Sequence, residues 1–121
     1  MLLPSGAGVG MLLARAEATA VGLATFSVLF PTDGFRPGLF VKDAFVCESW
    51  RRAGVGMALF GALAREALRR GCVRIDWAAA RDNIAAGRLY EKAGAMRLDE
   101  AILFRLDAER IARLAAGGLP T

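Results

Sequence analysis

The sequence predicts an α/β fold built on a mixed, twisted sheet. Two observations lead there. Apolar segments near Gly10–Ala16 and Val21–Phe30, the second rich in β-branched and aromatic residues, flank the short link "EATA", a pattern for an antiparallel hairpin. The centre then alternates strand, helix, strand, helix and strand, which calls for crossover connections and parallel pairing. At 121 residues the chain is read as one domain over 1–121, able to bury a core without staples.

Each element has its own signal. Val21–Phe30, "VGLATFSVLF", is rich in β-branched and aromatic residues, whereas "PTDGFRPG" at Pro31–Gly38 carries two prolines and two glycines and reads as a loop. "LFVKDAFV", Leu39–Val46, reads as a largely buried strand. From Val55 to Arg70, Leu59, Leu63 and Ala67 recur at helical spacing beside Phe60, Ala64 and Leu68, and the run stops at Gly71. "CVRIDWA" alternates Val73, Ile75 and Trp77 on one face of a strand. A shorter helix, Ile84–Lys92, follows the polar "RDN" and ends at Gly94. Two short strands, "AMRL" and "AILFRL", precede a terminal helix over Asp107–Ala116 with Ile111 and Leu114 turned inward.

Bulk chemistry removes several function classes. The chain is 55% hydrophobic, which disfavours disorder, and its net charge of +4 favours anionic partners. It has no histidine, and its two cysteines, Cys47 and Cys72, form no C-x-x-C pair. Zinc sites and Cys–His or Ser–His–Asp catalysis therefore lack their parts, and no metal is expected. Two free thiols suit a reducing cytoplasm, although one disulfide stays open. The apolar start "MLLPSGAGVGMLLARAEA" ends on small residues as a secretory leader would, but Pro4 and its glycines interrupt it. No uncharged apolar run reaches the roughly 18 residues of a membrane span. The arginines are scattered through helices with no aromatic-studded basic strand, so nucleic acid is not the expected partner.

The stretch "WRRAGVG", Trp50–Gly56, places two arginines and two glycines directly before a helix. A helix N-terminus leaves backbone N–H groups unpaired under a partial positive charge, and glycines let a phosphate approach closely. Two readings stay open on spacing alone: an anion-binding turn, or an ordinary strand-to-helix turn with solvated arginines. Commoner phosphate motifs do not fit. A P-loop needs Lys-Ser/Thr where Met57-Ala58 stand, and a dinucleotide fingerprint counted from Gly54 needs glycine where Leu59 stands. "GAGVG" at Gly6–Gly10 fails likewise, with Met11 in the third glycine's place.

The pattern that does fit is R-x-x-G-x-G, Arg51–Gly56. With "LFVKDAFV" before it and "RDNIAAGRLYEKAGA" after it, placing Asn83, Tyr90 and Gly94 at N-x6-Y-x3-G spacing, the chain resembles the GNAT superfamily of N-acetyltransferases. The likeness covers roughly residues 10–116. It is most similar to the spermidine/spermine and thialysine acetyltransferase branch, through Asp43–Ala95 and the tail "LFRLDAERIARLA".

The resemblance implies acetyl-CoA as co-substrate and transfer of its acetyl group to a primary amine by direct attack. It implies that Arg51, Arg52, Ala53, Gly54, Val55, Gly56 and Met57 bind the pyrophosphate at the helix start. It implies that backbone groups of Ala44, Phe45 and Val46 pair with the pantetheine arm, one N–H facing the thioester carbonyl, and that Asn83 and Ala86 also face the cofactor. Asn83 is equally an N-cap for the helix at Ile84. Tyr90, the only tyrosine, matches the family's general acid; a phenol is protonated at neutral pH and can donate to a departing thiolate. On residue type alone, Tyr90 reads as a core-facing aromatic.

The acceptor side departs from the branch. Lys42-Asp43 stands where Glu-Asp is common; Asp43 can bind a cationic amine or relay a proton, or serve as a plain strand carboxylate, while Lys42 repels a polyamine. Glu48 is a second candidate base with less support. GNAT domains usually open with a strand and helices that roof the acceptor site, and here Met1 lies shortly before the hairpin, so an N-terminally shortened domain is expected. Uncovered apolar surface then favours a homodimer. The alternative function is a catalytically weak or inactive CoA-binding module acting as a partner or regulatory subunit.

Overall fold

The structure, a computed structural model, describes residues 8–117. Four strands lie in the order β1 (Val9–Ala16), β2 (Thr19–Leu29), β3 (Gly38–Val46) and β4 (Ile75–Asp76). The first three pair antiparallel and β3 pairs parallel with β4, so the sheet is mixed as expected. Three helices follow: α1 (Val55–Arg69), α2 (Ile84–Lys92) and α3 (Ala108–Ala115).

Helix α1 covers one face of the sheet. Its stripe of Leu59, Leu63 and Ala67 is buried against Ala24 and Phe26 of β2 and Leu39 and Val41 of β3. Leu39 and Leu63 are wholly buried and form the centre of this core. The 3.6-residue period of the helix stripe meets the two-residue period of the strands here, and burial of both apolar faces holds the layers together.

Two irregularities involve β3. Thr25 pairs with Asp43 and Phe26 with Val41, which leaves Lys42 as an extra residue, a β-bulge in β3. The parallel ladder between β3 and β4 runs only through Leu39–Ile75 and Phe40–Asp76. Past Phe40 the two strands part. The strand expected over Cys72–Ala78 therefore pairs only at Ile75–Asp76, extended backwards by hydrogen bonds from Val73 N to Pro37 O and from Leu39 N to Arg74 O. Consequently Lys42–Phe45, expected to be buried, are exposed.

Other expectations are corrected further along the chain. Neither "AMRL" nor "AILFRL" forms a strand, because the short β4 offers no extended edge for a following strand to join. Ile102, Leu103 and Phe104 lie exposed. Helix α3 forms as expected, capped by the Asp107 side chain accepting from Arg110 N, yet it buries no residue; Ile111 and Leu114 stay half exposed instead of turning inward. Cys47 and Cys72 are free thiols. Residues 1–7, which hold the start of the leader-like stretch and the first two residues of "GAGVG", lie outside the described residues.

Candidate active site

The parting of β3 and β4 opens a cleft of about 340 Å³ lined by Lys42, Asp43, Ala44 and Phe45 on one side and by Phe60, Trp77, Ala78 and Tyr90 on the other. It falls at the low end of small-ligand sites in size. On the β3 side the strand edge lacks a partner strand. Cys47 N donates to Val21 O, and the Val46 carbonyl accepts Arg51 Nε at 3.2 Å on the opposite side. Since backbone groups alternate along a strand, Ala44 points its N–H and C=O into the gap as Val46 does, while Phe45 bonds back to β2. Among the three residues expected to offer free backbone, Ala44 turns both groups toward the gap, whereas the Val46 carbonyl is taken by Arg51. Phe45 contributes its ring to the wall instead.

The cleft leads to the start of α1. Gly54 is the N-cap and has a left-handed backbone (φ 83°), a conformation that favours glycine, and no side chain caps the helix. Ala58 N donates to Gly54 O, but Val55, Gly56 and Met57 come before this first intrahelical donor, so their N–H groups project from the helix end. A Cβ on Gly56 would meet Leu89 Cδ2 at 3.0 Å, so glycine there lets α2 lie close against α1. Arg52, also left-handed at φ 65°, and Ala53 are exposed beside this end. Arg51 is placed differently from expectation. Its guanidinium bonds the Val46 carbonyl and stacks 5.8 Å over Phe45, pinning the end of β3 to the turn.

Helix α2 brings Tyr90 to the far wall. Asn83 caps the helix, its Oδ1 accepting from Ala86 N at 3.2 Å, so the capping role of Asn83 and Ala86 is seen directly. Tyr90 sits edge-on to Phe60 at 5.5 Å and to Trp77 at 5.2 Å, and Phe60 meets Trp77 at 4.8 Å. This aromatic packing raises the Tyr90 pKa above that of an ordinary phenol, because burial disfavours the phenolate. On the acceptor side, Thr25 Oγ1 donates to Asp43 Oδ2 at 2.8 Å. The structure thus brings together Asp43, Ala44, Phe45 and Tyr90 in the cleft, with Gly54–Met57 at the α1 end. Glu48 lies in a 3-10 turn after β3 and does not line the cleft.

Sequence reasoning missed Phe60, Trp77 and Thr25. Trp77 was legible as a strand residue and Phe60 as part of the α1 stripe, but only the fold stacks both on Tyr90. Thr25 had no local signal; it meets Asp43 through the strand register.

A splayed parallel strand pair beside an uncapped helix N-terminus defines a site for an extended ligand with an anionic group at one end. The Acetyltransferase (GNAT) family profile matches residues 3–95. The chain belongs to that family. It is 30% identical over 95 residues to L-ornithine N5-acetyltransferase NATA1 of Arabidopsis thaliana, covering 78% of this chain and 42% of that protein. It is 36% identical over 104 residues to mycothiol acetyltransferase of Actinosynnema mirum, covering 86% of this chain and 33% of that protein. The chain thus spans less than half the length of these curated relatives. Among solved structures, an integron cassette protein from the mobile metagenome of V. cholerae superposes with a TM-score of 0.83 at 32% identity, covering 92% of this chain and 68% of that one. No described helix is long and apolar enough to cross a membrane.

Proposed function

We propose that the chain is an acetyl-CoA-dependent N-acetyltransferase that acetylates a primary amine by direct attack, with Tyr90 as general acid. The observation that carries this reading is the free edge of β3 running from the Tyr90 wall to the uncapped start of α1. That length of unpaired backbone suits a pantetheine arm, and the N–H groups of Val55, Gly56 and Met57 suit its pyrophosphate, with Arg52 nearby to add charge.

Acetyl-CoA, when bound, supplies an acyl thioester with a thiolate leaving group. The chain's residues then have distinct tasks. The Ala44 N–H, directed into the gap, stabilises the negative charge that develops on the carbonyl oxygen. Asp43 takes the proton lost by the attacking amine, directly or through water. Tyr90 gives its phenolic proton to the departing sulfur, and its burial keeps that proton in place at neutral pH. The aromatic wall of Phe60 and Trp77 holds the phenol and limits water.

The resemblance read in the sequence to the spermidine/spermine branch, together with the L-ornithine acetyltransferase among the relatives, supports a small primary amine as acceptor. The reading extends to a cytoplasmic homodimer: free thiols fit a reducing compartment, and the exposed Ile102–Phe104 segment with Ile111 and Leu114 of α3 supplies apolar surface for a second copy. Its alternative, a CoA-binding module without turnover, is separated by one experiment. Thiol release from acetyl-CoA with a panel of primary amines, lost in Tyr90→Phe, supports the enzyme. CoA binding by calorimetry without thiol release supports the module. A monomer by light scattering across micromolar concentrations refutes the dimer.

A further inference from the structure

Two charges of opposite sign stand side by side at the mouth of the cleft. Lys42 and Asp43 are consecutive residues, and in a regular strand they would point to opposite faces. The bulge at Lys42 breaks that alternation: Asp43 accepts from Thr25, and Thr25 lines one hollow with Lys42, so both charges lie on the Thr25 face of the sheet beside the cleft. Neither has a partner of opposite charge among the described residues: Asp43 is held by the neutral hydroxyl of Thr25, and Lys42 forms no ion pair. Adjacent charges that leave each other unpaired present a dipolar surface to whatever enters.

Lys42 also lines a second depression, of about 370 Å³, on the side of the cleft toward β1. Val9, Met11 and Phe40 make this hollow mostly apolar, with Thr25 and Ser27 at its side. Lys42 therefore stands between the reacting cleft and a hollow able to hold a hydrocarbon stem. It is remote from the cofactor's phosphate end: Lys42 to Val46 is four residues of extended strand, roughly 13 Å. The lysine is placed to meet the acceptor and not the pyrophosphate.

We propose that the acceptor is a primary amine that also carries a carboxylate, of the amino-acid class, its amine facing Asp43 and its carboxylate facing Lys42. This rests on the acetyltransferase reading above and narrows it. A polyamine, cationic at both ends, would set its second ammonium against Lys42. Thr25 is a positioning residue in this scheme, because its hydroxyl fixes the carboxylate of Asp43 and leaves the other oxygen for the amine.

L-ornithine and 1,4-diaminobutane differ only by one carboxylate, so their kcat/KM ratio in acetyl transfer tests the proposal. The native chain is expected to favour ornithine at least tenfold, Lys42→Arg to keep that preference, and Lys42→Glu to invert it, with circular dichroism checking that each variant folds. A native preference for the diamine, or the same ratio in Lys42→Glu as in the native chain, overturns the proposal. If no amine is acetylated, the acetyltransferase reading fails by itself. Calorimetric titration of the two amines into the CoA-saturated protein then applies the same criterion to their Kd values, and binding of neither amine overturns the proposal.

Discussion

Replacing Tyr90 with phenylalanine separates the phenol's chemistry from its packing. The ring contacts Phe60 and Trp77 through centroids 5.5 and 5.2 Å away, and phenylalanine keeps both contacts. The hydroxyl has no hydrogen-bond partner among the described residues, so its loss leaves no orphaned group. Folding stability should therefore change by less than about 0.5 kcal/mol. CoA affinity should also hold, since the β3 edge and the α1 start are untouched. The chemical step loses its proton donor, worth about 10²–10⁴ in rate, or roughly 2.7–5.4 kcal/mol of barrier. The assay is thiol release from acetyl-CoA, corrected for the protein's own thiols at Cys47 and Cys72. A kcat within tenfold of the native value would falsify the assignment of Tyr90 as acid. The pH profile supplies a second check. An acid acts while protonated, so activity is lost as pH rises through its pKa. Because burial raises that pKa above the ordinary phenol value, the native activity should fall only on the alkaline side, at a higher pH than an exposed phenol titrates, and Tyr90→Phe should lack that fall.

Three further outcomes follow from the fold. Gly54→Ala meets no atom within 4 Å, so its cost is the left-handed backbone alone, about 1–2 kcal/mol in urea unfolding, accompanied by weaker CoA binding as the helix start shifts. Leu63→Ala empties the centre of the core and should lower stability by about 2–5 kcal/mol. Glu66 is hydrogen-bonded by Arg69 and Arg70, which lower its pKa to about 2. A depressed carboxylate contributes stability above its unfolded pKa near 4.5 and loses it as pH falls toward 2, so native protein and Glu66→Gln should differ by under about 1 kcal/mol at pH 6 and converge by pH 2.

Residues that form local patterns were legible, and residues that meet only through register were not. The hairpin, the α1 stripe, the Asn83 cap and the glycine at the α1 start all follow from neighbours within a few positions. The contact between Thr25 and Asp43 spans eighteen residues and exists because β2 and β3 pair in one register. The bulge at Lys42 is a mismatch between two strands, and neither strand alone records it. The overcalled strands at Ala95–Leu98 and Ala101–Leu106 fail for the same reason. Apolar content makes a segment willing to pair, but β4 has only two paired residues and gives it nothing to pair with.

That same shortage of pairing creates the site. A backbone N–H satisfied by a neighbouring strand cannot serve a ligand, so a fold that binds an extended arm through its main chain must leave some groups unmatched. Here three departures from regularity lie along one path. The bulge turns Lys42 and Asp43 to the same side, the early end of the β3–β4 ladder frees Ala44, and left-handed Gly54 starts α1 without a capping side chain. Each costs stability locally, and the buried layer of Leu39, Val41, Leu59 and Leu63 beneath them offsets that cost. It follows that variants repairing these irregularities, such as deletion of Lys42 to restore the ladder, should raise stability while removing the capacity to bind. A stabilised Lys42 deletion that still bound CoA and amine as tightly as the native chain would show that the irregularities are incidental to the site.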